Sequence, residues 1–327
     1  MITKITKELV QKRLSTSTKE VILPQSPLLH FKAFQQSNSS CRTGYTHFYQ
    51  GLSSNTDRTS AQTFRSSVRK ELFTDQTSGQ APGFVQANFV ALPKENAFDF
   101  LMFCLKNPKA CPILAATEPG SPCPKNIAPD ADLRTDIPKY YIWRNGVKTE
   151  ETTNIKDVWN NDMVGFLLGC SFSWEHILQA HGFEPRHMKQ KSTVPMYLTN
   201  IKNQQSGPFG GNLVVSMRPY KAHQIKKVAT ITGCYAGAHG SPVHWGNSED
   251  LGISNEILRT CPDWGDPVQL LEDDIAVFWA CGVTPQTALM DAKLPFAITH
   301  APGHMFICDI RDEELRVETS FDFSFGK

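Results

Sequence analysis

The stretch 275–310 reads IAVFWACGVTPQTALMDAKLPFAITHAPGHMFICDI, and the fold is read outward from it. Its apolar runs at 275–279, 295–299 and 305–310 have strand length and are rich in β-branched and aromatic residues. Between the first two, Thr284 is a good N-cap and Pro285 a good first helical residue, which predicts a helix to about Ala292. Strand, short helix, strand is the pattern of a βαβ unit, with 275–279 and 295–299 as parallel neighbours. On that placement the loops 280–284 and 300–304 leave one sheet by the same edge, where open α/β sheets bind ligands. The helix start offers free N–H groups and a positive dipole end to a carboxylate, and Thr284 and Gln286 add side-chain donors. The second loop carries His300 and His304 across a Pro-Gly turn, two imidazoles suited to acid/base work near neutral pH. Plainer readings stand beside these. Thr284-Pro285 reads equally as a bare helix start, the histidines as structural groups or metal ligands, and Cys281 as a nucleophile or a buried thiol.

Upstream, the same signals alternate. A helix is predicted at 67–77, a strand at 84–92 stopped by Pro93, a buried helix at 94–106 and a short strand at 112–116. Five prolines make 117–138 a structured loop. Asn145-Gly146 between two strand-like runs predicts a hairpin with a type I′ turn. An amphipathic helix is expected at 155–168 and another at 172–181, then strands at 194–199 and 212–218 and a helix at 221–236. Alternating strands and helices give a mixed α/β architecture.

The bulk composition sets limits. Apolar residues make up 40% and charged residues 20% of 327, enough for a sizeable core in one large or two smaller domains. A net charge of +1 supplies no field for nucleic acid or an anionic membrane surface, and no apolar run approaches the roughly 18–20 residues of a membrane span. Nine cysteines without a C-x-x-C pair point to a reducing compartment. Residues 1–66 differ: they are rich in Ser, Thr, Gln and Asn, with Lys and Arg around a possible apolar stripe at Ile2, Ile5, Leu9 and Leu14. That is the character of a mitochondrial transit peptide, hence a matrix protein, although Glu8 and Glu20 run against it; a plain tail on a cytoplasmic protein is the alternative.

Other polar groups qualify as site residues. Arg134, between Asp132 and Asp136, has the fork to grip a carboxylate, or to tie its own loop. Ser171 and Ser173 precede or open a helix and are read as caps or substrate contacts; Glu175 follows as an acid/base group. Arg218 ends an apolar strand, and His244 sits in a tight loop with His239. No P-loop, G-x-G-x-x-G, G-x-S-x-G or H-E-x-x-H motif is present, so no cofactor is predicted beyond a divalent cation as an option.

These same segments resemble the D-glutamate cyclase family, also labelled hydro-lyase. The resemblance runs in order through Pro82-Gly83, Gln86-Ala87-Asn88, Asp132 to Asp136, Gly169-Cys170-Ser171-Phe172-Ser173, Gly210-Gly211-Asn212, Ser216-Met217-Arg218-Pro219, Gly240 to His244, Pro262 to Asp266, Val277 to Gln286 and Ile298 to Asp309. It implies a hydro-lyase that converts D-glutamate to 5-oxo-D-proline with loss of water, in mitochondria, and an α/β fold with a second, smaller α+β domain placed at about 140–230. It implies a member without the further C-terminal domain of the animal form, with 67–327 as the catalytic region. The roles expected are Arg134 or Arg218 on one substrate carboxylate and the start at Thr284 on the other. His300 and His304 share acid and base work, with Glu175 or Asp136 orienting an imidazole. The expected partner is a small amino dicarboxylate, and the chain is a monomer or a homo-oligomer. Dehydration of another hydroxy or amino acid, and non-catalytic carboxylate binding, are the alternatives.

Overall fold

In the computed structural model, which describes residues 58–317, helices and strands build a mixed α/β fold on two antiparallel sheets. In chain order the elements are α1 (Arg58–Arg69), β1 (Phe84–Pro93), α2 (Lys94–Lys106), β2 (Ile113–Ala116), β3 (Tyr140–Arg144), β4 (Val147–Thr152), β5 (Met163–Gly169), α3 (Phe172–Ala180) and α4 (Arg186–Lys189). They continue as β6 (Met196–Lys202), β7 (Asn212–Lys221), α5 (Ala222–Gly233), β8 (His244–Trp245), α6 (Asn255–Thr260), β9 (Asp274–Ala280), α7 (Thr284–Ala292), β10 (Ala297–His300) and β11 (Phe306–Arg311). The larger sheet has the order β2-β5-β1-β10-β3-β4, with β11 also on β1; the smaller is β6-β7-β9-β8.

β1 is the axis of the large sheet. β5 pairs with it from Ala87 to Pro93, and its other side is shared by β11 at Gln86 and Ala87 and by β10 at Val90 and Ala91. Its alternating side chains feed two cores. Val90 and Leu92 join Phe100, Phe103 and Phe166 under α2; Val85, Ala87, Phe89 and Ala91 join Leu133, Ile298 and Phe306 on the opposite face. The 140–152 hairpin forms as expected, with Asn145 at φ 51° and Gly146 at φ 75°, the left-handed pair of a type I′ turn.

Four expectations change. The helix expected at 155–168 is a loop followed by β5. Its run MVGFLLG is buried on both faces between β1 and β2, and such an unbroken apolar run has no period to separate strand from helix. β9 and β10 are not parallel neighbours. β9 pairs antiparallel with β7 from Val215↔Ala280 to Lys221↔Asp274, and α7 carries the chain across to β10 in the other sheet. Strand pattern gives the presence of a strand but not its partner. The helix expected at 67–77 is α1, earlier in the chain. Its Arg65, within the stretch assigned to the tail, is fully buried and donates to the Ile307 carbonyl, Asp309 and Asp130. An ion-paired arginine anchors a segment that apolar content alone could not announce. Finally, the segment at about 140–230 expected as one subdomain is divided: β3, β4 and β5 belong to the large sheet, and the small sheet draws on 196–280.

Residues 1–57 of the expected leader lie outside the described residues. Among the described residues no helix is long and apolar enough to cross a membrane.

Candidate active site

Three turns meet where the two sheets adjoin. The β5–α3 turn brings Cys170 and Phe172, the β9–α7 turn brings Cys281 and Val283, and the β10–β11 turn brings Met305, all in one cluster with Val194, Met196 and Val214. The sequence reading expects the second and third turns to share one sheet edge. They do meet, but from different sheets. The approach is close. A Cβ on Gly169 would stand 1.7 Å from the Gly237 carbonyl oxygen, and one on Gly282 would stand 2.1 Å from Asn88 Nδ2. Asn88 Nδ2 in turn donates to the Gly169 carbonyl at 2.9 Å, and Cys170 N–H donates to the Gln86 carbonyl at 3.1 Å.

Beneath the turns lies a buried charge cluster. Arg218 on β7 is wholly buried between Trp174 and Trp279, its guanidinium carbon 4.7 and 5.4 Å from the two ring centres. Its Nε and Nη2 donate to Glu175 Oε1 at 3.1 and 2.5 Å, Nη2 also to Ser171 Oγ at 3.0 Å, and Nη1 to Ser216 Oγ at 3.1 Å. His187 Nε2, on α4, stands 3.1 Å from the same Glu175 Oε1, off line for a hydrogen bond. Burial alone would raise the Glu175 carboxyl. The charges of His187 and Arg218, with the Arg218 hydrogen bonds, outweigh it and hold the group at about 2, so it is ionised at neutral pH. Glu175 Oε2 has no hydrogen-bond partner. A buried ion pair whose carboxylate keeps one oxygen unsatisfied makes a poor stability device and a good functional marker.

The histidines divide by environment. His300 is buried at the end of β10, and its Nδ1 lies 3.1 Å from both the N–H and the carbonyl of Phe89, where β1 passes from β10 to β11. Burial lowers its pKa to about 4, so it is neutral. His304 is buried on the third turn, and burial also lowers its pKa. Its Nδ1 stands 2.9 Å from the Pro302 carbonyl, which can only accept. Nδ1 therefore carries the hydrogen and Nε2 presents its lone pair, the tautomer of a general base. A hydrogen-bond chain ties this turn to α3. Met305 N–H donates to Thr77 Oγ1, Gln86 Nε2 donates to the Thr77 carbonyl, and Gln86 N–H donates to Ser173 Oγ.

The structure thus brings Ser171, Ser173, Glu175, Arg218, His300, His304 and Gln286 into one region, with Gln286 Nε2 donating to the His300 carbonyl at 3.2 Å. It commits several of them differently from the sequence reading. The Ser171 and Ser173 hydroxyls make no helix cap; they serve Arg218 and Gln86, because a helix start buried beside β1 has other polar groups to satisfy. Thr284 is buried, and its hydroxyl accepts from Val214 N–H and pins α7 to β7. Glu175 faces His187, not His300 or His304. Asp136 is held by Arg69 through bonds of 2.7 and 2.5 Å. Arg134 is gripped in two-point fashion by Asp132 at 2.9 and 2.8 Å, the loop-tying alternative. His244 lies on β8 with Nε2 at 2.9 Å from the Asn247 carbonyl. His187 escaped sequence reading because PRHMK offers no pattern that sets one histidine apart; only its placement under Glu175 does. Among the described residues no group of three or more His, Cys, Asp or Glu is placed to hold a metal ion.

A second buried carboxyl lies behind α3. Both oxygens of Asp312 lack hydrogen bonds, and His176 Nε2 stands 3.5 Å from Oδ2. Burial raises the Asp312 pKa to about 8 against 3.8 for a free side chain, with Arg311 opposing. The folded protein keeps this proton while the unfolded chain releases it, so stability is lost as pH rises from about 4 through about 8. Asp312→Asn is expected to remove that loss, a difference from wild type on the order of a few kcal/mol at pH 8.5 that shrinks toward pH 4. Urea unfolding of both proteins across that range checks it; a constant difference contradicts it.

Comparison with known proteins bears on the same region. The family model described as D-glutamate cyclase matches residues 164–309, which contain all three converging turns. A Geobacillus kaustophilus protein provisionally named a hydro-lyase is 50% identical over 258 residues, 79% of this chain and 97% of its own. Provisionally named hydro-lyases of Rubrobacter xylanophilus and Agrobacterium fabrum are 50% and 51% identical, over 77% and 79% of this chain and 96% and 94% of theirs.

Proposed function

This chain belongs to the D-glutamate cyclase family of hydro-lyases, and on that premise we propose that it removes water from a small amino dicarboxylate, converting D-glutamate to 5-oxo-D-proline. The observation that carries the reading is the convergence of the 170–173, 281–284 and 301–305 turns over the Arg218–Glu175–His187 cluster. Cyclisation needs a neutral α-amine, an electrophilic γ-carboxyl and a folded substrate. His304 Nε2 takes a proton from the ammonium and passes it to a carboxyl oxygen. The helix starts of α3 and α7 face the developing oxyanion with backbone N–H groups and the positive ends of their dipoles. Arg218 serves from beneath. Most of its N–H groups are engaged, so it acts through its charge and by holding Ser171. The same reading places the protein in the mitochondrial matrix, on the composition of residues 1–66.

Ligand-dependent stability tests the binding half of this reading. D-Glutamate at tenfold over its Kd is expected to stabilise the fold by about 1.4 kcal/mol, raising the thermal midpoint, with L-glutamate less effective. No shift with D-glutamate, L-glutamate or glutarate would count against an amino dicarboxylate site.

A further inference from the structure

Cys170 and Cys281 occupy equivalent places in two of the converging turns, each just before a helix, and they pack in one cluster. Their backbones are fixed: Cys170 N–H donates to the Gln86 carbonyl at 3.1 Å and Cys281 N–H to the Val214 carbonyl at 3.0 Å. The backbone N–H groups of Val283 and Gly282 work against burial at the Cys281 thiol, and that of Phe172 does so at Cys170. Cys170 is buried, whereas Cys281 is partly exposed, so a ligand reaches Cys281 first. An independent observation marks a ligand here. Two acceptors on residues that adjoin Cys170, Gln86 Oε1 and Glu175 Oε2, have no hydrogen-bond partner although their residues are 3% and 2% exposed. A substrate ammonium brings the N–H donors that such acceptors need.

We propose that Cys281 is the proton donor to the oxygen that leaves as water, and that Cys170 is the positioning residue behind it. The assignment rests on the cyclisation reading above. The amine nitrogen forms its bond to the γ-carbon, and the C–O bond breaks as the Cys281 S–H proton passes to the departing hydroxyl. The thiolate so formed takes a proton from the new C–N nitrogen, which restores the thiol and completes the lactam. His304 moves the first of the two protons and Cys281 the second, and no oxidant or reductant enters. Burial supports a donor in place of a nucleophile: it raises Cys281 to about 11 and Cys170 to about 12, so both are thiols at neutral pH. A charge on Cys281 also raises Cys170, so the pair ionises one sulfur at a time.

Two measurements decide it. Cys281→Ala and Cys281→Ser are assayed with D-glutamate beside wild type, with thermal midpoints as the check on folding. The expected result is a kcat lower by roughly 10²-fold or more at little change in KM, with loss of the alkaline limb of the wild-type pH profile in the serine variant. Folded variants within threefold of wild type overturn the assignment. In parallel, iodoacetamide labelling of wild type is mapped by mass spectrometry with and without D-glutamate or glutarate. The expected result is labelling of Cys281 slowed at least fivefold by either ligand. If wild type forms no 5-oxoproline, the cyclisation reading falls by itself, and labelling of Cys281 that neither ligand slows then overturns the thiol site.

Discussion

Arg218→Met is expected to destabilise the protein by about 3–5 kcal/mol, because it leaves an ionised, buried Glu175 without the arginine that donates two hydrogen bonds to it. The arginine donates to Glu175 Oε1, Ser171 and Ser216 at once and lies against two tryptophans. Methionine fills much of the volume and supplies none of the donors. Arg218→Lys keeps the charge but cannot span three acceptors, so an intermediate loss is expected. The double variant Arg218→Met, Glu175→Leu is expected to recover part of the stability, since it removes the stranded carboxylate with its partner. Urea unfolding of the three proteins reads these differences. A single Arg218→Met variant within about 1 kcal/mol of wild type would show that the cluster is not the coupled unit its geometry describes.

His304→Ala is expected to lower turnover of D-glutamate by roughly 10²- to 10⁴-fold with little loss of stability. The imidazole makes one hydrogen bond, from Nδ1 to the Pro302 carbonyl, and stands on a turn whose backbone is held separately by Thr77. Because burial lowers its pKa, the acid limb of the wild-type kcat/KM profile should lie below the ordinary imidazole range near 6.5. Steady-state rates from pH 4 to 8 check both points. A variant with wild-type turnover removes His304 from the mechanism and leaves the site without its base.

Much of this arrangement is legible in the sequence. The Thr284-Pro285 helix start, the Asn145-Gly146 hairpin and most strands follow from local signals that tertiary contacts reinforce. What local signals lack is partnership. β9 and β10 read as neighbours because only an α-helix separates them, yet β9 finds a longer mate in β7. The site was legible to the same degree. Ser171, Glu175, Arg218 and His304 stand out as polar groups in turns or at strand ends, and they do come together. Arg134 and Asp136 stand out equally but are taken up by Asp132 and Arg69, and nothing in the chain distinguishes a fork that is free from one that is filled. His187 and Arg65 show the converse, since each owes its importance to a carboxylate far away in sequence.

The most direct measurement is chromatography of the products formed by the purified protein from D-glutamate and, separately, from L-glutamate, each with and without a divalent cation. The account predicts 5-oxoproline from the D-isomer and none from the L-isomer. Absence of product from D-glutamate under both conditions would contradict it.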